Sequence, residues 1–370
     1  MKKSAIFPGK YIQGEGVLGE IGSLICSLGA KKPMIVWGTR ARAASSALVL
    51  GSIKNAGIDF SEHPFCGECT HEEAEIIQGE IKSKGCDIVV GIGGGKCLDV
   101  AKGAAAHLGL RVICSPTVCS CDAPTSACSV WYDVEGVCVG FDLWPFNPDV
   151  VICDTGVMVT APEHMLKAGI ADALATYLEA RASNSTHAFT CAGGTPTLTV
   201  MALSKLCFDT LFETAEAGLC AVRAGVVTPA FDKLVEACSL LSGIGWESGG
   251  LCTAHVLGNN LSAFPEAHHH MHGEKVSFGI ITQLMLDPDE EMSEAYEVVD
   301  FMIELGLPVT FEELSMESVS RERLLAWCEA NTQPGSFTCN HNFPVTGKDL
   351  FNAMIAADAF GKMRKAAAGK

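Results

Sequence analysis

No run of about 18 apolar residues occurs in this chain, so no membrane-spanning helix is expected. Basic residues are scarce: 26 Lys and Arg stand against 43 Asp and Glu, a formal charge of −17. That balance excludes the basic surface a phosphate backbone requires, and nucleic acid with it as a partner. The start, Met1-Lys2-Lys3-Ser4-Ala5-Ile6, has charge but no apolar stretch behind it, so a secretory leader is not expected. There is no internal repeat and no low-complexity tether. Only 19% of residues are charged while 48% are hydrophobic, the balance of a well-buried globular protein. At 370 residues the chain exceeds one ordinary core, which predicts two domains.

Cysteine is plentiful, at 18, but a framework pattern is missing. Cys86, Cys97, Cys114, Cys153, Cys207 and Cys238 lie in apolar segments, where reduced cysteine serves as a small hydrophobe. Cys66-x-x-Cys69 is a lone pair, and Cys119-x-Cys121 is not repeated at zinc-finger spacing. A reducing, cytoplasmic setting is expected.

What is present is an alternation. Apolar, β-branched runs at 33–37, 87–92, 111–114 and 150–154 are separated by helical spacing at 18–28, 41–56, 72–83 and 96–108, and a further strand starts at 58. This predicts an α/β fold with a parallel sheet and helices on both faces. Segments 129–132 and 137–140 read as an attached hairpin. After Pro162 the spacing is helical almost to the end: 163–184, 196–217, 227–243, 247–260, 275–285, 289–305, 310–315, 319–330 and 347–365. The expected domains are 1–160, an N-terminal α/β dinucleotide-binding domain, and 161–370, an all-α metal- and substrate-binding domain, with a cleft at the boundary.

Four stretches carry chemistry. The strand at 87–92 runs into Gly93-Gly94-Gly95-Lys96 and a helix; glycines admit a diphosphate to the backbone, and the helix points its free N–H groups at it. The spacing is neither Gly-x-Gly-x-x-Gly nor a P-loop, and a plain turn is the alternative. Ser115 to Ser126 follows the next strand and belongs at the carboxyl edge of the sheet, where open α/β folds bind ligands; the alternative is a polar loop with an Asx turn at Asp122. Asp172 sits among small apolar residues, an expensive place for a charge unless it is paired or bound to metal; Glu179 and Arg181 read more simply as surface or interhelix pairing. Residues 246–279 hold five of the eleven histidines. His255 is expected on a helix over the small residues 249–254, and His272 opens a second buried stretch. His268, His269 and His270 read as a solvated loop or as residues that stand behind the ligands. Imidazole is the commonest protein ligand for divalent transition metals, so this segment reads as half of a catalytic metal site.

Together these motifs resemble the glycerol dehydrogenase branch of the metal-dependent, iron-containing alcohol dehydrogenase family. The resemblance spans nearly the whole chain, through Pro8-Gly9-Lys10-Tyr11-Ile12-Gln13-Gly14, Gly93-Gly94-Gly95-Lys96-x-x-Asp99-x-x-Lys102, Asp122-Ala123-Pro124-Thr125-Ser126, Gly169-x-x-Asp172-Ala173-Leu174-Ala175, Glu247-Ser248-Gly249-Gly250-Leu251, His272-Gly273-Glu274-Lys275-Val276 and Ala356-Ala357-Asp358. It implies a Rossmann-like domain followed by an all-α domain, the dehydroquinate synthase-like fold. It implies Zn2+, with Fe2+ as the other choice, held by Asp172, His255 and His272, and agrees with the residue-level reading: two His and one carboxylate leave a fourth position open. It places Gly94, Gly95, Lys96 and Asp99 around the diphosphate of NAD or NADP, Thr117, Ser126 and Tyr132 near the nicotinamide half, and Asp122 at the substrate. His269 is one candidate for passing a proton. The implied reaction is hydride transfer between the nicotinamide and a small vicinal diol or hydroxyketone, in a homo-oligomer.

Two departures from the family pattern bear on specificity. Where an Asp for the adenosine ribose is usual, this chain has Gly38-Thr39-Arg40-Ala41-Arg42, so NADP is expected to be accepted. Cys121, Cys128 and Trp131 alter the surroundings of Asp122, and parts of both segments are similar to a branch that reduces 2-oxo acids. The rival readings are an NADPH-linked reductase of short 2-oxo acids and a dehydroquinate-synthase-like lyase.

Overall fold

The computed structural model describes residues 2–288 and 292–370. The chain forms two compact units, Ile6–Leu166 with Thr214–Gly243, and Met1–Ala5 with Lys167–Glu213 and Ile244–Lys370. The expected cut after residue 160 differs from this division. Residues 214–243 group with the sheet because they pack on it: Gln13 donates to the Asp232 carbonyl at 2.7 Å, and Thr125 to the Ser239 carbonyl at 3.2 Å. Those contacts join positions more than 100 residues apart, which local spacing does not reveal.

The first unit is built on a six-stranded sheet, β1 (Tyr11–Gly14), β2 (Pro33–Gly38), β3 (Ser61–Phe65), β4 (Ile88–Gly93), β5 (Arg111–Pro116) and β8 (Val150–Asp154), in the order β1-β8-β5-β4-β2-β3 with every pairing parallel. The helices between strands are α1 (Ile21–Ser27), α2 (Thr39–Ala56), α3 (His71–Lys84) and α4 (Gly95–Leu108). Side chains alternate across a strand, so Ile35, Trp37, Ile88, Val90, Ile92 and Ile152 form one core face with Ile21, Ile25, Val49 and Ile53 from α1 and α2. The hairpin is β6 (Cys128–Tyr132) and β7 (Cys138–Leu143), antiparallel, with a bulge at Trp131/Tyr132. The short α5 (Thr155–Met158) follows β8. The strand expected from 58 begins only at Ser61.

The second unit is helical. Its elements lie on α6 (Glu163–Ser185), α7 (Leu198–Ala224), α9 (Ser242–Gly249), α10 (Thr253–Asn260), α11 (His272–Leu286), α12 (Met292–Leu305), α13 (Arg321–Ala330) and α14 (Gly347–Ala367), while α8 (Pro229–Glu236) belongs to the sheet-bearing unit. Three expectations change here. The helix over 247–260 is broken: Gly250 adopts a left-handed φ of +100°, and α10 starts afresh at Thr253. The helix over 310–315 is a single 3-10 turn, Glu312–Leu314. Of the helix over 289–305, residues 289–291 lie outside the described residues. No described helix is long and apolar enough to cross a membrane.

Candidate active site

In the sheet-bearing unit the strand order reverses between β2 and β4, since β3 lies to one side of β2 and β4 and β5 to the other. Open α/β sheets bind ligands in the crevice beyond the carboxyl ends at such a reversal. Here the two turns touch: a Cβ on Gly38 would sit 3.7 Å from the Gly93 Cα. Thr117 N–H donates to the Gly93 carbonyl at 3.0 Å, so the loop after β5 borders the same place. Both Gly38 and Gly94 precede helices without a side-chain cap, leaving backbone N–H groups for an anion. Thr39 and Arg40 are exposed on the first turn of α2. Arg42, in contrast, pairs with Glu62 at 3.2 Å and lies over Trp37. The Lys96 ammonium meets Glu68 and stands 4.6 Å from the centre of the half-buried Tyr132 ring. A Cβ on Gly95 would meet Cys121 Sγ at 2.7 Å, so a larger residue there would have to push the Cys121 side chain aside.

Asp99 and Ser126 do not face this turn as open groups. Asp99 is 5% exposed and pairs with Lys102 at 2.8 Å. Burial works against the Lys102 ammonium, but Asp99 outweighs it and holds the amine above its ordinary range. Lys102 also donates to the Ala123 carbonyl at 2.8 Å and to Ser126 Oγ at 3.1 Å, while Asp99 accepts from Val130 N–H at 3.1 Å. Asp99, Lys102 and Ser126 therefore tie α4 to the loop before β6. Asp122 is buried and accepts from Ser242 Oγ at 2.9 Å.

In the helical unit, three helices bring the ligand candidates together. Asp172 on α6 is fully buried, His255 sits on α10, and His272 is the first residue of α11, its side chain 28% exposed. Asp172 Oδ1 lies 3.3 Å from His255 Nε2 and 3.1 Å from His272 Nε2, and the three donor atoms all fall within 4.8 Å of one another. Ligand distances of about 2.0–2.2 Å in a tetrahedral site put ligand atoms about 3.3–3.6 Å apart, close to the two Asp172 separations, so the residues fit a zinc-sized cation. The partial exposure of His272 opens the site on one side. Glycine makes the convergence possible. A Cβ on Gly273 would lie 1.9 Å from the Ala168 carbonyl oxygen of α6, and one on Gly279 2.4 Å from the Ala254 carbonyl oxygen of α10.

The electrostatics suit a cation. Burial alone would raise the Asp172 carboxyl, but His272 and His255 outweigh it and hold it below the usual carboxylate range. Burial alone would lower His255, but Glu179 and Asp172 outweigh it and hold the imidazole well above its ordinary value. A metal bound there would displace the His255 proton.

Glu179, read from sequence as a surface or interhelix pair, is wholly buried against His255. Arg181 does pair between helices, with Glu294 at 2.6 Å. His269 is exposed, its ring centre 4.2 Å from that of His270, which in turn hydrogen-bonds Ser315 at 3.2 Å. Among the described residues Asp172, His255 and His272 are the one metal-capable group of His, Cys, Asp and Glu. All 18 cysteines are free thiols, and burial pushes the Cys69 thiol far up, so it stays protonated.

Comparison with known proteins finds relatives along the whole chain. The glycerol dehydrogenase of Escherichia coli O6:H1 (strain CFT073) is 40% identical over 357 residues, covering 96% of each chain. The glycolaldehyde reductase of Halobacterium salinarum is 38% identical over 355 residues, covering 96% of this chain and 97% of its own. The crystal structure of glycerol dehydrogenase from Schizosaccharomyces pombe superimposes with a TM-score of 0.94 at 29% identity, over 100% of this chain and 93% of that one. The family described as iron-containing alcohol dehydrogenase matches residues 8–155. With relatives this similar along its whole length, the chain belongs to the iron-containing alcohol dehydrogenase family.

Proposed function

We propose that this chain is a metal-dependent dehydrogenase that moves a hydride between a nicotinamide dinucleotide and a small vicinal diol, or the hydroxy carbonyl compound it forms, of which glycerol and dihydroxyacetone are the type pair. The observation that carries the reading is the buried meeting of Asp172, His255 and His272. The names of the two relatives support the substrate class, since glycerol and glycolaldehyde both carry oxygen on adjacent carbons.

Asp172, His255 and His272 would hold the cation, zinc by their donor set, with Fe2+ second. When bound, the cation supplies Lewis acidity at the substrate oxygen, and the nicotinamide gives or takes the hydride. The residues have separate tasks. Gly94 and Gly95 offer backbone N–H groups to the diphosphate, and Lys96 exchanges Glu68 for it. Thr117 and Tyr132 contribute hydroxyls toward the nicotinamide half; burial pushes the Tyr132 phenol up, so it stays protonated. Asp99 and Ser126 act one step back, by holding the loop through Lys102. Asp122, steadied by Ser242, accepts from the second hydroxyl of a diol, and its charge opposes a 2-oxo acid. His269, exposed to water, is our candidate for passing one proton. Arg40, with Thr39 beside it, would take a 2′-phosphate, which makes NADP acceptable as well as NAD; Arg42 is held by Glu62. A homo-oligomer in a reducing cytoplasm completes the proposal.

The test is a panel of glycerol, ethylene glycol, simple alcohols, short 2-hydroxy acids and their carbonyl partners, with each nicotinamide cofactor, before and after chelation and zinc return. Diol turnover that chelation abolishes and zinc restores is expected. Turnover of hydroxy acids alone, or turnover indifferent to chelation, would overturn it.

A further inference from the structure

We infer that Glu179 is a positioning residue for the metal centre: it fixes the ring orientation and tautomer of His255, leaving Nε2 to the cation. The inference rests on reading Asp172, His255 and His272 as a metal site. Asp172 and Glu179 are seven residues apart on α6, two turns along one face. They flank the His255 ring from opposite sides, Asp172 at Nε2 at 3.3 Å and Glu179 at Nδ1. Glu179 is 0% exposed, and its other oxygen is occupied: Oε1 accepts from Cys252 N–H at 2.8 Å and His255 N–H at 2.9 Å.

Both roles follow from the break at Gly250. Helix α10 begins with no cap from its own side chain at Cys252, so its first N–H groups need acceptors from elsewhere. Glu179 caps two of them, and Gln283 Oε1 takes Ala254 N–H at 3.1 Å. A carboxylate facing three N–H groups only accepts, so Nδ1 is the donor and the lone pair is left on Nε2. The cap sets where the helix starts; the same carboxylate sets which nitrogen of its third residue is free.

Glu179→Gln separates these tasks. The amide oxygen can still cap Cys252 and His255, but an NH2 donor now faces Nδ1 and favours the opposite tautomer, with the proton on Nε2. The metal-free variant is expected to fold, with the wild-type far-UV circular dichroism. Its Zn2+ affinity, read by chelator competition, is expected to fall roughly 10- to 100-fold, and the visible spectrum of its Co2+ form to change. Glu179→Asp, which keeps the charge, is expected to recover part of the loss. Wild-type Zn2+ affinity in a folded Glu179→Gln protein overturns the inference alone. A wild-type protein that binds no Zn2+, or binds it equally after Asp172→Ala, overturns the metal reading and this inference with it. If Glu179→Gln does not fold, the Zn2+-loaded wild type decides: ring-15N histidine labelling is expected to show His255 protonated at Nδ1, and a proton on Nε2 overturns the inference.

Discussion

Each unit of this protein buries a carboxylate beside a nitrogen base, and the two cases differ in kind. Asp99 meets Lys102, a permanent cation whose ammonium also donates to Ala123 and Ser126. That set closes on itself, as buried charges must. Asp172 meets two imidazoles, which carry charge only by taking a proton, and Glu179 adds a second carboxylate behind one of them. The first arrangement is complete without a ligand and holds a loop; the second is satisfied best by a cation that the chain itself does not supply.

Removing one partner should therefore act on stability in the first case and on ligand binding in the second. Lys102→Met strands Asp99 in the core and should cost about 3–5 kcal/mol. Urea unfolding of the metal-free protein checks this, and adding Asp99→Asn should return part of the loss. A change below 1 kcal/mol would mean that Asp99 is not an interior charge at all. Asp172→Ala should instead reduce turnover by more than about 100-fold, beyond the effect of losing a neighbour of a ligand, while the metal-free protein keeps its far-UV circular dichroism. Chelation should sharpen the contrast further. Zinc at 100 times its Kd should stabilise the wild type and Lys102→Met alike by about 2.7 kcal/mol, and should leave Asp172→Ala unmoved; calorimetry with and without zinc reads this directly. The smallest effect belongs to Arg40→Ala, which should raise the KM for NADP about tenfold, about 1.4 kcal/mol, without changing that for NAD.

The same contrast explains what could be read from the chain. Asp172, His255 and His272 stood out as candidates because each is a metal-binding residue type in a small-residue context, and the family resemblance joined them into one set; the glycines before Lys96 stood out because a strand precedes them and a helix follows. The interhelix pairing expected of Glu179 holds, with His255 on α10 as its partner, while the alternative of a surface position fails; the signal for burial was present, since Glu179 stands seven residues after Asp172 among Leu178 and Ala180, on the face that turns inward. Asp99 and Ser126 stood out because they lie in conspicuous motifs, and Lys102, three residues after Asp99, was the clue to the buried pair that joins them. The return of 214–243 to the sheet could not be seen, because Gln13–Asp232 and Asp122–Ser242 are long-range contacts with no local periodicity.

The close pass of Gly273 against Ala168 gives the main chain a share in tuning chemistry. Ala168 lies one turn before Asp172, and Gly273 directly follows His272, so a single methyl group there would wedge apart the backbones that carry these two proposed ligands. Gly273→Ala would thus behave as an active-site lesion though it touches no ligand atom, and a search for tolerated substitutions that scores only side chains in the pocket would pass it by.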